Sequence, residues 1–182
     1  MKMHKVLAVT GLSILGLGVT ATSFAADKAE IDQRVVVALT EFNALKPSYE
    51  SLVKKSAGML IFPRVTKGGV GIAGEYGQGV LQVNGKTVDY YSMGSASVGL
   101  TVGLANHSEI IMFMTKEALD KFTTAKGWSI GADAGITVVK AGTSDALDSK
   151  THDKPILAFA FAEKGLIGDL SLEGSKISKI DP

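Results

Sequence analysis

The chain contains no cysteine among its 182 residues, which excludes disulfide staples, thiolate metal ligands and the lipid-modified cysteine of a lipoprotein. Prolines number 4 and histidines 3, so neither a proline-rich linker nor a histidine-rich metal tract is available. Aromatic residues make up 7%, too few for the interfacial girdles of an outer-membrane barrel. Charge of one sign is missing as well: 19 basic residues stand against 18 acidic ones. Near-neutrality argues against steering onto nucleic acid, which requires a strong positive field.

The first residues follow a secretory grammar: Lys2 and Lys5 at the start, an apolar run from Val6 to Val19, then small residues at Ser23 and Ala25. The run is shorter than the ~20 residues of a membrane-spanning helix. Cleavage is expected after Ala25, giving a periplasmic or secreted domain of residues 26–182. Cleavage would remove two basic residues and no acidic one, leaving the remainder one unit negative.

Glycine is abundant, at 21 residues, without the serine or proline content of a linker. Apolar spacings of three and four at Ile31, Val35, Ala38, Leu39, Phe42 and Leu45 predict a helix from Lys28 to Leu45. Lys46-Pro47 interrupts it, and Ser48 is expected to cap a second helix ending at Lys55. From there the period changes. Met59 to Phe62 reads as a short apolar strand ended by Pro63, and Gly69 to Tyr91 as strands separated by glycine, with Asn84-Gly85 the turn of a hairpin. A strand through Leu104, a polar turn at Asn106-His107-Ser108 and a strand from Ile110 to Met114 follow. Thr115 caps a short helix carrying Leu119 and Phe122, with Gly127 as its stop. Strand pattern returns at Trp128–Lys140, Ile156–Ala162 and Leu166–Leu172, around a polar loop at 141–154. The class expected is α+β: an antiparallel, strongly coiled β-sheet, sandwich or barrel-like, with an N-terminal amphipathic helix and one or two short helices.

Catalytic motifs fail on context. Gly69-Val70-Gly71-Ile72-Ala73-Gly74 fits the spacing of a dinucleotide loop, yet a strand-turn rather than a helix follows it. Ser95-Ala96-Ser97-Val98-Gly99 lacks both the first glycine and the strand-to-helix turn of a nucleophile elbow. His107 and His152 are expected in separate loops without ligand spacing, and Glu75, Asp133 and Glu173 as isolated structural acids. No catalytic residue, metal site or cofactor is assigned. The basic residues Lys46, Lys54, Lys55, Arg64 and Lys67 face a single acid, Glu50, over residues 46–74. Such a cluster beside an amphipathic helix suits anionic head groups.

Residues 57–83, AGMLIFPRVTKGGVGIAGEYGQGVLQV, resemble the opening of the SYLF domain, a lipid-binding module found in a yeast actin-patch protein and in vertebrate SH3-containing adaptors. The likeness continues through Gly94–Leu100, Ala118–Phe122, Gly131–Ala134 and Lys164–Gly174. The resemblance implies a non-enzymatic domain that binds phospholipids. Actin is not expected as a partner in an exported bacterial protein, so the implied partner is an anionic phospholipid or membrane surface. The candidate contacts are Lys46, Lys54, Lys55, Arg64 and Lys67, with Phe42 and Leu45 adding apolar burial. The first helix departs from that picture in being acidic itself, with Asp27, Glu30, Asp32 and Glu41 against Lys28 and Arg34. The alternative is a structural or partner-binding envelope protein without lipid specificity.

Overall fold

A computed structural model describes residues 27–130, 135–139, 153–162, 165–167 and 174–182, with the side chains of 70–73 and 97–104 left aside. The expected signal segment, His152, Asp133, Glu173 and most of the expected 141–154 loop lie outside these residues.

Helix α1 spans Lys28–Leu45, as its apolar spacing predicts. Asp27 starts it, its carboxylate accepting the Glu30 N–H at 2.8 Å. Lys46, extended at φ −155° and ψ 138°, ends it because proline follows. Helix α2, Pro47–Lys55, then begins with proline at its first turn. Ser48 therefore lies inside α2 and is not its cap, a correction to the expected start.

Two strands dominate the rest. β1 spans Gly58–Val83 and β2 Lys86–Phe113, 26 and 28 residues, paired antiparallel around Asn84-Gly85. Both turn residues have positive φ, 51° and 72°, as the two-residue hairpin requires. Pro63 does not end the first strand. It sits in a bulge, where Pro63 and Arg64 together oppose Ser108 between the pairs Phe62–Glu109 and Val65–His107. The Ser108 hydroxyl donates to the Pro63 carbonyl at 2.9 Å. Nor do the glycines between residues 69 and 79 separate strands, since the same ladder runs through them. The expected turn at Asn106-His107-Ser108 is likewise absent: Asn106 pairs with Thr66 and His107 with Val65. Cross-strand pairing takes the place of the turn there.

A flat strand of 26 residues would reach about 85 Å, so the hairpin must coil. Gly79 shows how tightly: a Cβ there would stand 2.1 Å from the Ile61 carbonyl oxygen, so the two halves of β1 meet backbone to backbone. Helix α3, Lys116–Thr124, is capped by Thr115, whose hydroxyl accepts the Ala118 N–H at 3.2 Å. Gly127, at φ 137°, carries the turn beyond it into β3, Trp128–Ser129. β4 (Ile136–Val139), β5 (Ile156–Ala162), β6 (Gly165–Leu166) and β7 (Lys176–Ile180) complete the described elements. The sheet order is β3-β7-β2-β5-β4, with β1 on β2 and β6 on β5. All described pairings are antiparallel except β4 with β5. The protein is thus α+β with a strongly curled, mostly antiparallel sheet. β7 was not foreseen: Lys176–Ile180 is an inner strand between β3 and β2, with Ile177 buried.

Alternation divides the interior in two. Ile111 and Phe113 of β2 join Leu60, Phe62, Ile156, Ala158, Leu119 and Phe122 on one face, under α3. Ile110 and Met112 join Met59, Ile61, Leu157, Phe159 and Phe161 on the other, under α1 and α2. β5 is buried on both faces, which is why ILAFAFA reads as an unbroken apolar run.

Candidate functional sites: a helix-sheet groove and an inner polar cluster

α1 lies on the sheet through Ile31, Val35, Ala38 and Phe42. Phe42 is fully buried: its ring stacks on Tyr49 at 4.7 Å and meets Phe159 edge-on at 5.0 Å. Leu45 is half-buried against the same core. Phe42 is therefore core in this arrangement, and apolar contact with a lipid falls to other residues. Val36 and Val37, 65% and 56% exposed on the outside of α1, were passed over because they break the three-four spacing of the buried stripe.

The five basic candidates do not form one patch. Lys46 stands at the α1–α2 junction with its ammonium 6.0 Å from the Tyr49 ring. Lys54 pairs with Glu50 at 2.6 Å, a bond that holds the Glu50 carboxyl below the usual carboxylate range. Lys55 is exposed, beside Met114, Thr115 and Lys154. Arg64 projects from the β1 bulge about 20 Å further along the strand and reaches Asn106 at 3.5 Å. Lys67 turns to Glu75 at 2.9 Å.

Arg64 belongs to a groove of about 730 Å³ between α1 and the sheet. Val37, Ala38, Pro63, Phe161 and Ala162 give it an apolar lining. Arg34, Arg64, Gln33 and Glu41 supply polar groups, and His107 and Ser108 complete the wall. Arg34 is paired with Glu30 one helical turn away. The bulge at Pro63 creates this mouth by lifting β1 out of regular pleat and swinging Arg64 outward.

A second constellation lies where β1 and β2 run together. His107 Nε2 and Glu109 Oε1 are 2.7 Å apart, with the two side chains 8% and 1% exposed. Glu75, 9% exposed, bonds Lys67 and lies 3.5 Å from the Ser95 hydroxyl. Donor atoms of Glu75, His107 and Glu109 all fall within 4.8 Å of one another. Burial pushes the Glu109 carboxyl up, against the His107 contact, which holds it down. His107 is thus a strand residue with a buried ring, contrary to the loop expected for it, and Glu75 is not isolated. Glu109 was not singled out from the sequence. The signal was the period-two series His107, Glu109, Ile111, Phe113, which shares one face of β2.

Among the described residues, no helix is long and apolar enough to cross a membrane. No curated protein matches the chain. A family model described as "Ysc84: Las17-binding protein actin regulator" matches residues 94–181, from the middle of β2 through α3 and β5 to β7. Of the segments that resembled the SYLF domain in this stretch, Gly94–Leu100 lies in β2 and Ala118–Phe122 in α3, while Gly131–Ala134 and most of 164–174 lie outside the described residues. Residues 94–181, just under half of the chain, are therefore similar to the Ysc84 (SYLF) family.

Proposed function

We propose that the protein is a non-enzymatic binding module that engages anionic phospholipid surfaces from the bacterial cell envelope. The observation that carries this reading is the groove: an apolar floor of Val37, Ala38, Pro63, Phe161 and Ala162 beside the guanidinium of Arg64. An amphiphile with an anionic head needs that combination, apolar wall for chain and a planar donor fork for phosphate. Arg64 has a neutral partner, Asn106, and so keeps its charge available. Lys55 at the far end of α2 supplies longer-range attraction, and exposed Val36 an apolar edge. The family match supports a binding role; the family's printed description, an actin regulator that binds Las17, names a protein partner.

Sedimentation with vesicles of phosphatidylcholine carrying increasing phosphatidylglycerol tests the proposal. Binding should rise with anionic content and weaken as salt is raised. Arg64→Glu should lower the pelleted fraction more than Lys54→Glu, whose lysine is already neutralised by Glu50. Pellets indifferent to lipid charge, with a single protein recovered from envelope extracts, would favour the partner-binding alternative. Export rests on the residues before Ala26, and N-terminal sequencing of protein from the periplasmic fraction should begin at Ala26.

A further inference from the structure

Of the inner polar cluster only His107 also borders the groove, and the composition of the cluster is unusual for the inside of a curled sheet. Its neighbours on the same faces of β1 and β2 are Phe62, Val65 and Ile111, all fully buried. Two carboxylates and an imidazole converge there, and one carboxylate oxygen, Glu109 Oε2, is buried without a hydrogen-bond partner. A bare carboxylate oxygen in such surroundings is costly to keep unless a cation or donor meets it. His107 already contacts the other oxygen of Glu109, and the Lys67 ammonium sits on Glu75. The cluster therefore converges on a point that its own hydrogen bonds leave unfilled.

We propose that Glu75, His107 and Glu109 form a binding site for a first-row divalent cation, best matched by Zn²⁺. The donors come from strands: His107 and Glu109 are two apart on β2, and Glu75 approaches from β1. Zinc binds imidazole nitrogen and carboxylate oxygen at about 2.0–2.2 Å, which places tetrahedral donors about 3.4 Å from one another. Donor atoms already within 4.8 Å reach that spacing by small side-chain rotations. Two carboxylates and a neutral imidazole carry two negative charges, which the ion balances. Lys67, 37% exposed, is the group that the ion displaces from Glu75, and its flexible stem can carry the ammonium toward water. Imidazole among the ligands favours Zn²⁺ or Mn²⁺ over Ca²⁺ and Mg²⁺, which take all-oxygen sets. Three protein ligands leave a coordination position for water or an exogenous ligand.

The test is calorimetric titration of untagged, chelator-treated protein with zinc chloride, manganese chloride, calcium chloride and magnesium chloride, paired with thermal melts. One Zn²⁺ per chain is expected, with a raised melting temperature and affinity for Ca²⁺ and Mg²⁺ lower by about tenfold or more. Glu109→Gln and His107→Gln should each weaken zinc binding about tenfold or more, their metal-free melts and circular dichroism reporting that the fold is retained. Lys67→Ala should bind zinc more tightly than the parent, because the competing ammonium is gone; a purely structural ion network predicts no such gain. In the unaltered chain, the His107 imidazole resonances should shift on zinc addition, a readout that needs no variant. Absence of saturable zinc binding, unchanged His107 resonances at saturation, or parent-like affinity in folded Glu109→Gln would overturn the assignment.

Discussion

Single residues set the closest tolerances in this molecule. At Gly79 the obstacle to a side chain is the Ile61 backbone, which cannot rotate aside, so Gly79→Ala should lower stability by about 2–3 kcal/mol in denaturant titration. Gly85 shows the other reason for glycine, a positive φ of 72° in open space, where alanine would be strained without any clash. The buried tyrosines set a limit at alkaline pH. Burial raises the phenols of Tyr49 and Tyr91, with Asp89 adding to the effect at Tyr91. The unfolded chain then gives up these protons near pH 10 while the native state retains them, so their stabilisation is whole below pH 10 and is lost as pH climbs through the raised native values. Melting temperatures measured between pH 9 and 11.5 should fall, and Tyr49→Phe should make that decline shallower.

At the scale of elements, α1 is a structural helix before it is anything else. Phe42 touches Tyr49, Phe159 and Phe161, and Phe42→Ala should cost about 3–5 kcal/mol, read as a lower denaturation midpoint. The helix was legible because its signals are local: a three-four apolar stripe and a proline just beyond. The turn at Asn84-Gly85 was legible for the same reason. Pro63 and the triplet Asn106-His107-Ser108 misled because their local preferences yield to ladders on both sides of β2, with β1 on one edge and β5 joining from Ser108 on the other. Lys176–Ile180 escaped notice because exposed Lys176 and Lys179 flank its buried Ile177 in a segment too short to show a period. Of the site, the basic residues were visible in composition, but their dispersal was not. Whether Lys67 faces water or Glu75 depends on register, which no local pattern in β1 states.

For the whole molecule, β2 is the shared wall of both interiors. Its even-numbered residues Ile110 and Met112 face α1 and α2, and its odd-numbered residues Ile111 and Phe113 face α3. Neither half of the core can melt while β2 keeps its pairing to β1, β5 and β7. Calorimetry should therefore record one transition with matching calorimetric and van't Hoff enthalpies, and tryptophan emission from Trp128 should change at the same temperature as far-ultraviolet ellipticity.

The tight turn at Asn84-Gly85 also carries a kinetic consequence. A hairpin that zips outward from its apex forms contacts in order of loop length, so Val83 with Lys86 closes first and the pairs beyond Phe62 close last. Glu75 meets Ser95 early in that sequence, whereas His107 reaches Val65 only when some forty intervening residues are already ordered. The cluster they share is thus assembled late, and a slip at the register shift between Val70 and Ile72, which lies between them on the ladder, would leave Glu75 seated with His107 and Glu109 out of step.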